Sequence, residues 1–244
     1  MRRLVPEAAE ITVEEQVGGL EYADAAGSDR PYVITNFALT LDGHVTIGGR
    51  SGKIGSDSDT AMLVGLRTRV DAVMIGAGTM RAERYGRVIG DPAKRERRER
   101  EGRTADPLMV IVSGRLDLPW DAPLFTEGFG EIVIFTDSDA EPPVTVTPVH
   151  VERQENEVNL VEALAQLRND RGVRSVLCEG GPRLHAQLID AGLVDELFVT
   201  HAPKLAGGNG PGIVVDLSEA ERGLEVAWLL YEDATGELFA RYRT

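Results

Sequence analysis

The sequence predicts an α/β fold with a mixed, mostly parallel sheet and an antiparallel hairpin at its C-terminal edge. Three observations carry this. Short apolar runs alternate with helical patterns from Tyr32 to Thr200. Residues Asn159 to Arg171 carry a full set of helix start and stop signals. The chain closes with two apolar runs flanking Asp233-Ala234-Thr235-Gly236, the first of which alternates at Val226, Trp228 and Leu230.

In chain order, residues 1–30 are polar and acidic and end in Gly27-Ser28-Asp29-Arg30-Pro31. They read as an N-terminal arm, with the folded domain occupying 31–244. Tyr32 to Leu39 is rich in strand formers. Asp57 to Arg69 reads as a helix, capped by Asp57 or Ser58, with Met62, Leu63, Leu66 and Val70 on one side. Ala72 to Ile75 is a short buried strand that runs into Gly76-Ala77-Gly78-Thr79. Leu108 to Val112 and Ile132 to Phe135 are two more strands. Asp91 to Arg103 mixes charges without an apolar stripe and reads as a solvated loop or exposed helix.

Asn159 caps the next helix, and Glu162 completes a capping box. Leu160, Ala163, Leu164 and Leu167 share one face, and Gly172 stops the helix. Val173 to Cys178 is a strand, Pro182 opens a helix that Gly192 ends, and Val194 to Thr200 is a strand. Leu224 to Tyr231 and Leu238 to Tyr242 form the hairpin.

The chain has 244 residues with 26 basic and 40 acidic side chains, a net charge of −14. That balance argues against nucleic acid or an anionic membrane as the main partner, since both need a cationic surface. It leaves room for a small anion in a locally positive pocket. The single cysteine, Cys178, allows no disulfide and no thiolate zinc cluster within the chain, and reads as a core residue. The first thirty residues lack the apolar stretch of a signal peptide, and no window approaches about 20 apolar residues. The expected location is cytoplasmic. His44, His150, His185 and His201 show no metal-binding spacing, and no Gly-x-Ser-x-Gly elbow is present. Neither a bound metal nor serine-hydrolase chemistry is expected.

Three segments can carry chemistry. Gly76-Ala77-Gly78-Thr79 follows a strand, where glycines let a phosphate approach and successive N–H groups and the Thr79 hydroxyl can donate to it. It lacks the third glycine and the following acid of the dinucleotide fingerprint, and no Gly-Lys-Ser/Thr follows. Glu179-Gly180-Gly181-Pro182 lies between a buried strand and a helix start, whose free N–H groups and partial positive charge suit a pyrophosphate, with Arg183 adding a cation. Thr40-Leu41-Asp42-Gly43 is, on its own, a turn signal. Two glycine-rich strand ends in one sheet say more than either alone, because α/β sheets bind ligands at strand carboxyl ends.

These segments occur in a recognisable order: Asn36 to Gly43, Val70 to Thr79, Glu179 to Pro182, Gly192 to Leu197 and Ala202 to Gly208. Together, from about Pro31 to Arg243, they resemble the riboflavin-pathway pyrimidine reductases, which share the dihydrofolate reductase-like three-layer fold. The resemblance implies an NADPH-dependent enzyme acting on a ribosylaminopyrimidine 5′-phosphate. The ribosyl ring opens to an imine, whose carbon is reduced to give the ribitylamino product.

It further implies that the cofactor lies across Gly76, Ala77, Gly78 and Thr79 and across Glu179, Gly180, Gly181, Pro182, Arg183 and Leu184. Glu83 and Ser113 stand where the family has further cofactor contacts. Asn36, Asp42 and Ser56 stand on the substrate side. Arg81, Arg84 and Arg183 are candidate partners for the extra phosphate of NADPH. A homodimer is also implied. No proton-donating residue is assigned. Bulky side chains at Gly78 or Gly181 are expected to abolish cofactor binding while leaving the fold.

The companion deaminase of this pathway needs His-x-Glu and Pro-Cys-x-x-Cys, which one cysteine cannot supply, so the chain reads as a stand-alone reductase. It departs from the family in three places. Ala82-Glu83-Arg84-Tyr85-Gly86 replaces the common Asp-Asp-Pro segment, His44 replaces a lysine, and Asn36 stands where bacterial fused enzymes carry lysine. A dihydrofolate-type reductase, or a non-catalytic nucleotide-binding protein of the same fold, is the alternative.

Overall fold

Central strands that are apolar on both sides need cover on both faces of their sheet. Val73 and Ile75 point to one face and Ala72 and Met74 to the other, all of them fully buried. The computed structural model, which describes residues 1–22 and 24–244, meets this demand with three layers.

In order, the elements are β1 (Arg2–Val5), β2 (Ala9–Glu10), α1 (Val13–Gly18), β3 (Tyr32–Thr40), a 3₁₀ turn (Ser51–Lys53), α2 (Asp57–Arg69), β4 (Ala72–Gly76), α3 (Ala77–Glu83) and α4 (Pro92–Arg100). Then follow β5 (Leu108–Val112), α5 (Pro123–Thr126), β6 (Ile132–Thr136), β7 (Val149–Arg153), α6 (Leu160–Arg171), β8 (Ser175–Cys178), α7 (Pro182–Asp190), β9 (Glu196–Ala202), β10 (Glu225–Tyr231) and β11 (Leu238–Arg243). The strand order is β2-β1-β10-β11-β9-β3-β8-β4-β5-β6-β7. From β9 to β7 every neighbouring pair is parallel. The pairs from β9 out to β2 are antiparallel, and the β10–β11 hairpin is among them. Met62, Leu66 and Phe125 of α2 and α5 fill one core. Leu164 and Leu167 of α6 and Leu188 of α7 fill the other.

Helix ends follow local chemistry. Ser56 caps α2 by accepting from the Ser58 N–H at 3.2 Å, so the cap lies one residue before the positions read from sequence. Asn159 caps α6 as expected, accepting from the N–H groups of Val161 and Glu162. The capping box does not close: Glu162 accepts from the Asn159 side chain, and Gln154 takes the Asn159 N–H at 2.6 Å.

Residues 1–30 do not stand apart as an arm. β1 pairs with β10, and α1 packs on α2 with Val17 against Gly65, where an added Cβ would meet the valine at 3.3 Å. Val17, Leu20 and Tyr22 are buried in the core. The acidic residues around them mask three well-placed apolar side chains.

The charged segment 91–103 holds α4, and it is not wholly solvated. Arg98 is buried, and its Nη1 donates to the carbonyls of Arg67, Thr68 and Val70 at 2.8–3.0 Å. It thereby satisfies the carbonyls that α2 leaves free at its C-terminus. Burial lowers the Arg98 pKa to about 10, still above neutrality. Among the described residues, no helix is long and apolar enough to cross a membrane.

Candidate active site

β4 and β8 are parallel neighbours, so their carboxyl ends open side by side. The two glycine-bearing segments therefore touch: the Gly76 N–H donates to the Gly180 carbonyl at 2.8 Å. Gly76 then caps α3 and Gly181 caps α7, and neither helix start has a side-chain cap. Their first N–H groups remain free for a ligand. Gly180 has φ +104, a backbone that favours glycine. A Cβ at Gly181 would sit 3.1 Å from the Thr79 hydroxyl oxygen, so a missing side chain brings the two loops together. A Cβ at Gly78 would meet nothing within 4 Å.

These loops form one wall of a cavity of about 560 Å³. Within it lie Gly76, Ala77, Gly78, Thr79, Glu83, Glu179, Gly180, Gly181, Pro182, Arg183 and Leu184. The opposite wall comes from β3, through Asn36 and Phe37, from the loop after β3, and from α2, through Asp59, Thr60 and Leu63. Asn36 is buried, and its Nδ2 has no partner. A buried donor without an acceptor calls for one, and a ligand in the cavity can supply it.

Three of the residues assigned by resemblance lie elsewhere. Asp42 does not line the cavity. Its carboxylate accepts from Thr40 Oγ1 and from the N–H groups of Ala206 (3.1 Å) and Gly207 (2.7 Å), which ties the loop after β9 to the end of β3. These hydrogen bonds, the Thr40 one first, hold its pKa well below the usual carboxylate range. Ser56 is spent on capping α2 and on donating to the buried Glu237. Ser113 is buried at the end of β5, outside the cavity.

Two acids that do line the cavity are already engaged. The Glu179 carboxylate accepts from Arg67 Nε and Nη2 at 2.7 Å each, and from the Tyr85 hydroxyl at 2.9 Å. The pair is nearly dry, with side-chain exposures of 13% for Arg67 and 3% for Glu179. Burial together with the Glu179 charge pushes the Tyr85 hydroxyl well above its ordinary pKa, so Tyr85 stays a donor. Glu83 accepts from the Ser51 N–H (3.1 Å) and hydroxyl (2.9 Å), linking the end of α3 to the turn on the far side. Of the three arginines, Arg81 and Arg183 line the cavity and pair with Asp117 and Asp216 at its rim, while Arg84 lies beside it and pairs with Asp121.

Sequence reasoning missed Asp59 and Ser51, and it marked Tyr85 only as part of a departure from the family pattern. An acid in the first turn of a helix is ordinary, so Asp59 carried no distinguishing signal. Among the described residues, no group of His, Cys, Asp or Glu could hold a metal ion.

The RibD C-terminal domain model matches residues 31–229. The chain belongs to this family. A relative from Archaeoglobus fulgidus, named 2,5-diamino-6-ribosylamino-4(3H)-pyrimidinone 5′-phosphate reductase, is 32% identical over 77% of this chain and 87% of its own length. One of the same name from Methanothermobacter thermautotrophicus is 28% identical, covering 77% and 84%. The crystal structure of a pyrimidine reductase-like protein from Corynebacterium diphtheriae superposes with TM-score 0.79 at 22% identity, covering 96% of this chain and 98% of that one. The dihydrofolate reductase-like fold read from the sequence is thus borne out, as is the resemblance to pyrimidine reductases.

Proposed function

We propose that this chain is an NADPH-dependent reductase of a ribosylaminopyrimidine 5′-phosphate in riboflavin biosynthesis. The observation that carries the reading is the cavity where two uncapped, glycine-bearing helix starts face the unpartnered Asn36 amide. Relatives named for this reaction supply the substrate class.

The residues present fit a dinucleotide. The N–H groups of Gly78 and Thr79 and of Arg183 and Leu184 lie at helix starts lining the cavity, where anions are favoured. The side-chain-free Gly180 and Gly181 let this loop lie against Phe37 and Thr79, which shapes the wall. Arg81 and Arg183 are the cations on the lining, and they suit the additional phosphate that distinguishes NADPH. The bound cofactor supplies a hydride.

The protein's own part is to bind, orient and exclude water. Asn36 offers its amide donor to the substrate, while Phe37, Leu63 and Tyr85 keep that side apolar. The unusual Glu83-Arg84-Tyr85 segment has a structural use, since Tyr85 bonds Glu179 and Glu83 bonds Ser51. It therefore gives no ground for preferring a pterin. The same reading includes a homodimer and a cytoplasmic location.

The test is NADPH oxidation by the purified protein with the diamino and the uracil forms of the ribosylaminopyrimidine phosphate, beside dihydrofolate. Turnover of a pyrimidine substrate and none of dihydrofolate is expected. Turnover of dihydrofolate alone, or of nothing, would overturn the reading.

A further inference from the structure

The substrate side of the cavity holds one carboxyl that neither the family match nor the fold employs. Asp59 lies in the first turn of α2 and lines the cavity. Its Oδ1 is buried without a hydrogen-bond partner. Space for this carboxyl is made at Gly55, where an ideal Cβ would fall 2.0 Å from Asp59 Oδ2. Any other residue at 55 would force the Asp59 side chain out of its present place. The position is therefore built around the carboxyl, and the carboxyl is left with an unused oxygen.

Its surroundings disfavour charge. Burial is the main cause of a raised Asp59 pKa, and the neighbouring Thr200 hydroxyl on β9 opposes it. Glu237, before β11, adds to the rise; it is buried, fixed by the Ser56 and Thr235 hydroxyls, and without a salt-bridge partner among the described residues. Lys204, after β9, is the cation that opposes it, but its ammonium is held by the carbonyls of Lys53 and Ile54. Glu232 takes the neighbouring Ser58 hydroxyl. Two carboxyl groups thus share a poorly solvated corner with one committed ammonium.

We propose that Asp59 is the acid that protonates the substrate nitrogen during reduction. The proposal rests on the functional reading given above. In the reduction, the C=N bond of the opened substrate becomes a CH–NH single bond. The carbon gains the hydride that the reduced dinucleotide supplies. The nitrogen gains a proton as the Asp59 O–H bond breaks. The resulting carboxylate recovers a proton from water once product leaves, so one proton is consumed per turnover. A positioned acid of this kind contributes about 10²–10⁴-fold to a rate.

Asp59→Asn keeps the shape and removes the acid. We expect kcat to fall by about 10²-fold or more, with NADPH affinity measured by calorimetry unchanged. Wild-type kcat should fall as pH rises through the Asp59 pKa, and the Asp59→Asn profile should lose that limb. Carbon-detected NMR of the cofactor-free wild type, with Asp59→Asn to assign the signal, should show this carboxyl titrating above the ordinary aspartate range. A variant within about threefold of wild-type kcat, or a carboxyl titrating at or below about 3.9, would overturn the proposal. Wild-type turnover with an unaffected variant overturns this proposal alone. No wild-type turnover overturns the functional reading and this proposal with it.

Discussion

Glu179→Gln tests the buried ion pair on the cavity lining. The Glu179 carboxylate sits between Arg67 and Tyr85 with 3% of its surface exposed. Arg67 is 13% exposed and has one further acceptor, the Val88 carbonyl at 2.9 Å. Glutamine removes the charge and sets an NH₂ group against the guanidinium. Breaking a buried pair from one side costs about 3–5 kcal/mol, because the remaining charge is uncompensated. In a chain of this length, 1 kcal/mol moves Tm by about 2–4 °C, so Tm should fall by about 6–20 °C. Urea unfolding gives the free energy and a thermal scan gives Tm. Arg67→Met combined with Glu179→Leu should recover stability to within about 2 kcal/mol of wild type, because a dry apolar pair replaces a dry ionic one. A loss under about 1 kcal/mol in Glu179→Gln would refute the buried-pair account. Wild-type stability with lost NADPH affinity would instead make Glu179 a cofactor contact, as the family resemblance implies.

Arg98→Met should destabilise by about 3 kcal/mol in urea, since several buried carbonyls lose their donor, and Arg98→Lys should not restore it. Gly181→Ala should weaken NADPH binding by about tenfold or more in calorimetry, because the new methyl crowds Thr79, with the fold kept. Gly78→Ala meets no protein atom within 4 Å, but it adds a methyl to the cavity lining beside an N–H assigned to the cofactor, so it should keep the fold and weaken NADPH binding in calorimetry. Asp42 has a depressed folded pKa, so its stabilising effect is complete above its unfolded value of about 3.9 and is lost as pH falls further. In Asp42→Asn, Tm should accordingly depend less on pH below about 4 than in wild type, as read by thermal scans from neutral to acid pH.

Much of the fold is legible in the sequence because strand burial and helix capping are local. β4, β5 and β6 read directly as apolar runs, and α2 and α6 carry their own start and stop signals. What is not legible depends on distant partners. Arg98 looks solvated among its neighbours until the end of α2 is laid beside it. β7 alternates weakly because it is an outer strand, and α1 hides Val17 among glutamates. The glycine wall of the site is visible in sequence because the close meeting of two strand ends and the backbone at Gly180 demand glycine. The opposite wall is not. Asp42 and Ser56 are polar residues of the expected kinds, yet the chain's own N–H groups and carboxyls consume them. Asp59 differs from any first-turn acid only by what packs around it.

Hydride delivery to the sugar-derived carbon of a phosphorylated pyrimidine is the step on which the proposed function stands. Single-turnover reaction with NADPH deuterated at the transferring position, followed by mass spectrometry and NMR of the product, tests it directly. One deuterium is expected on the first carbon of a ribitylamino chain, with the pyrimidine ring unlabelled. Deuterium on the ring, or recovery of unreduced substrate with intact cofactor, would contradict it.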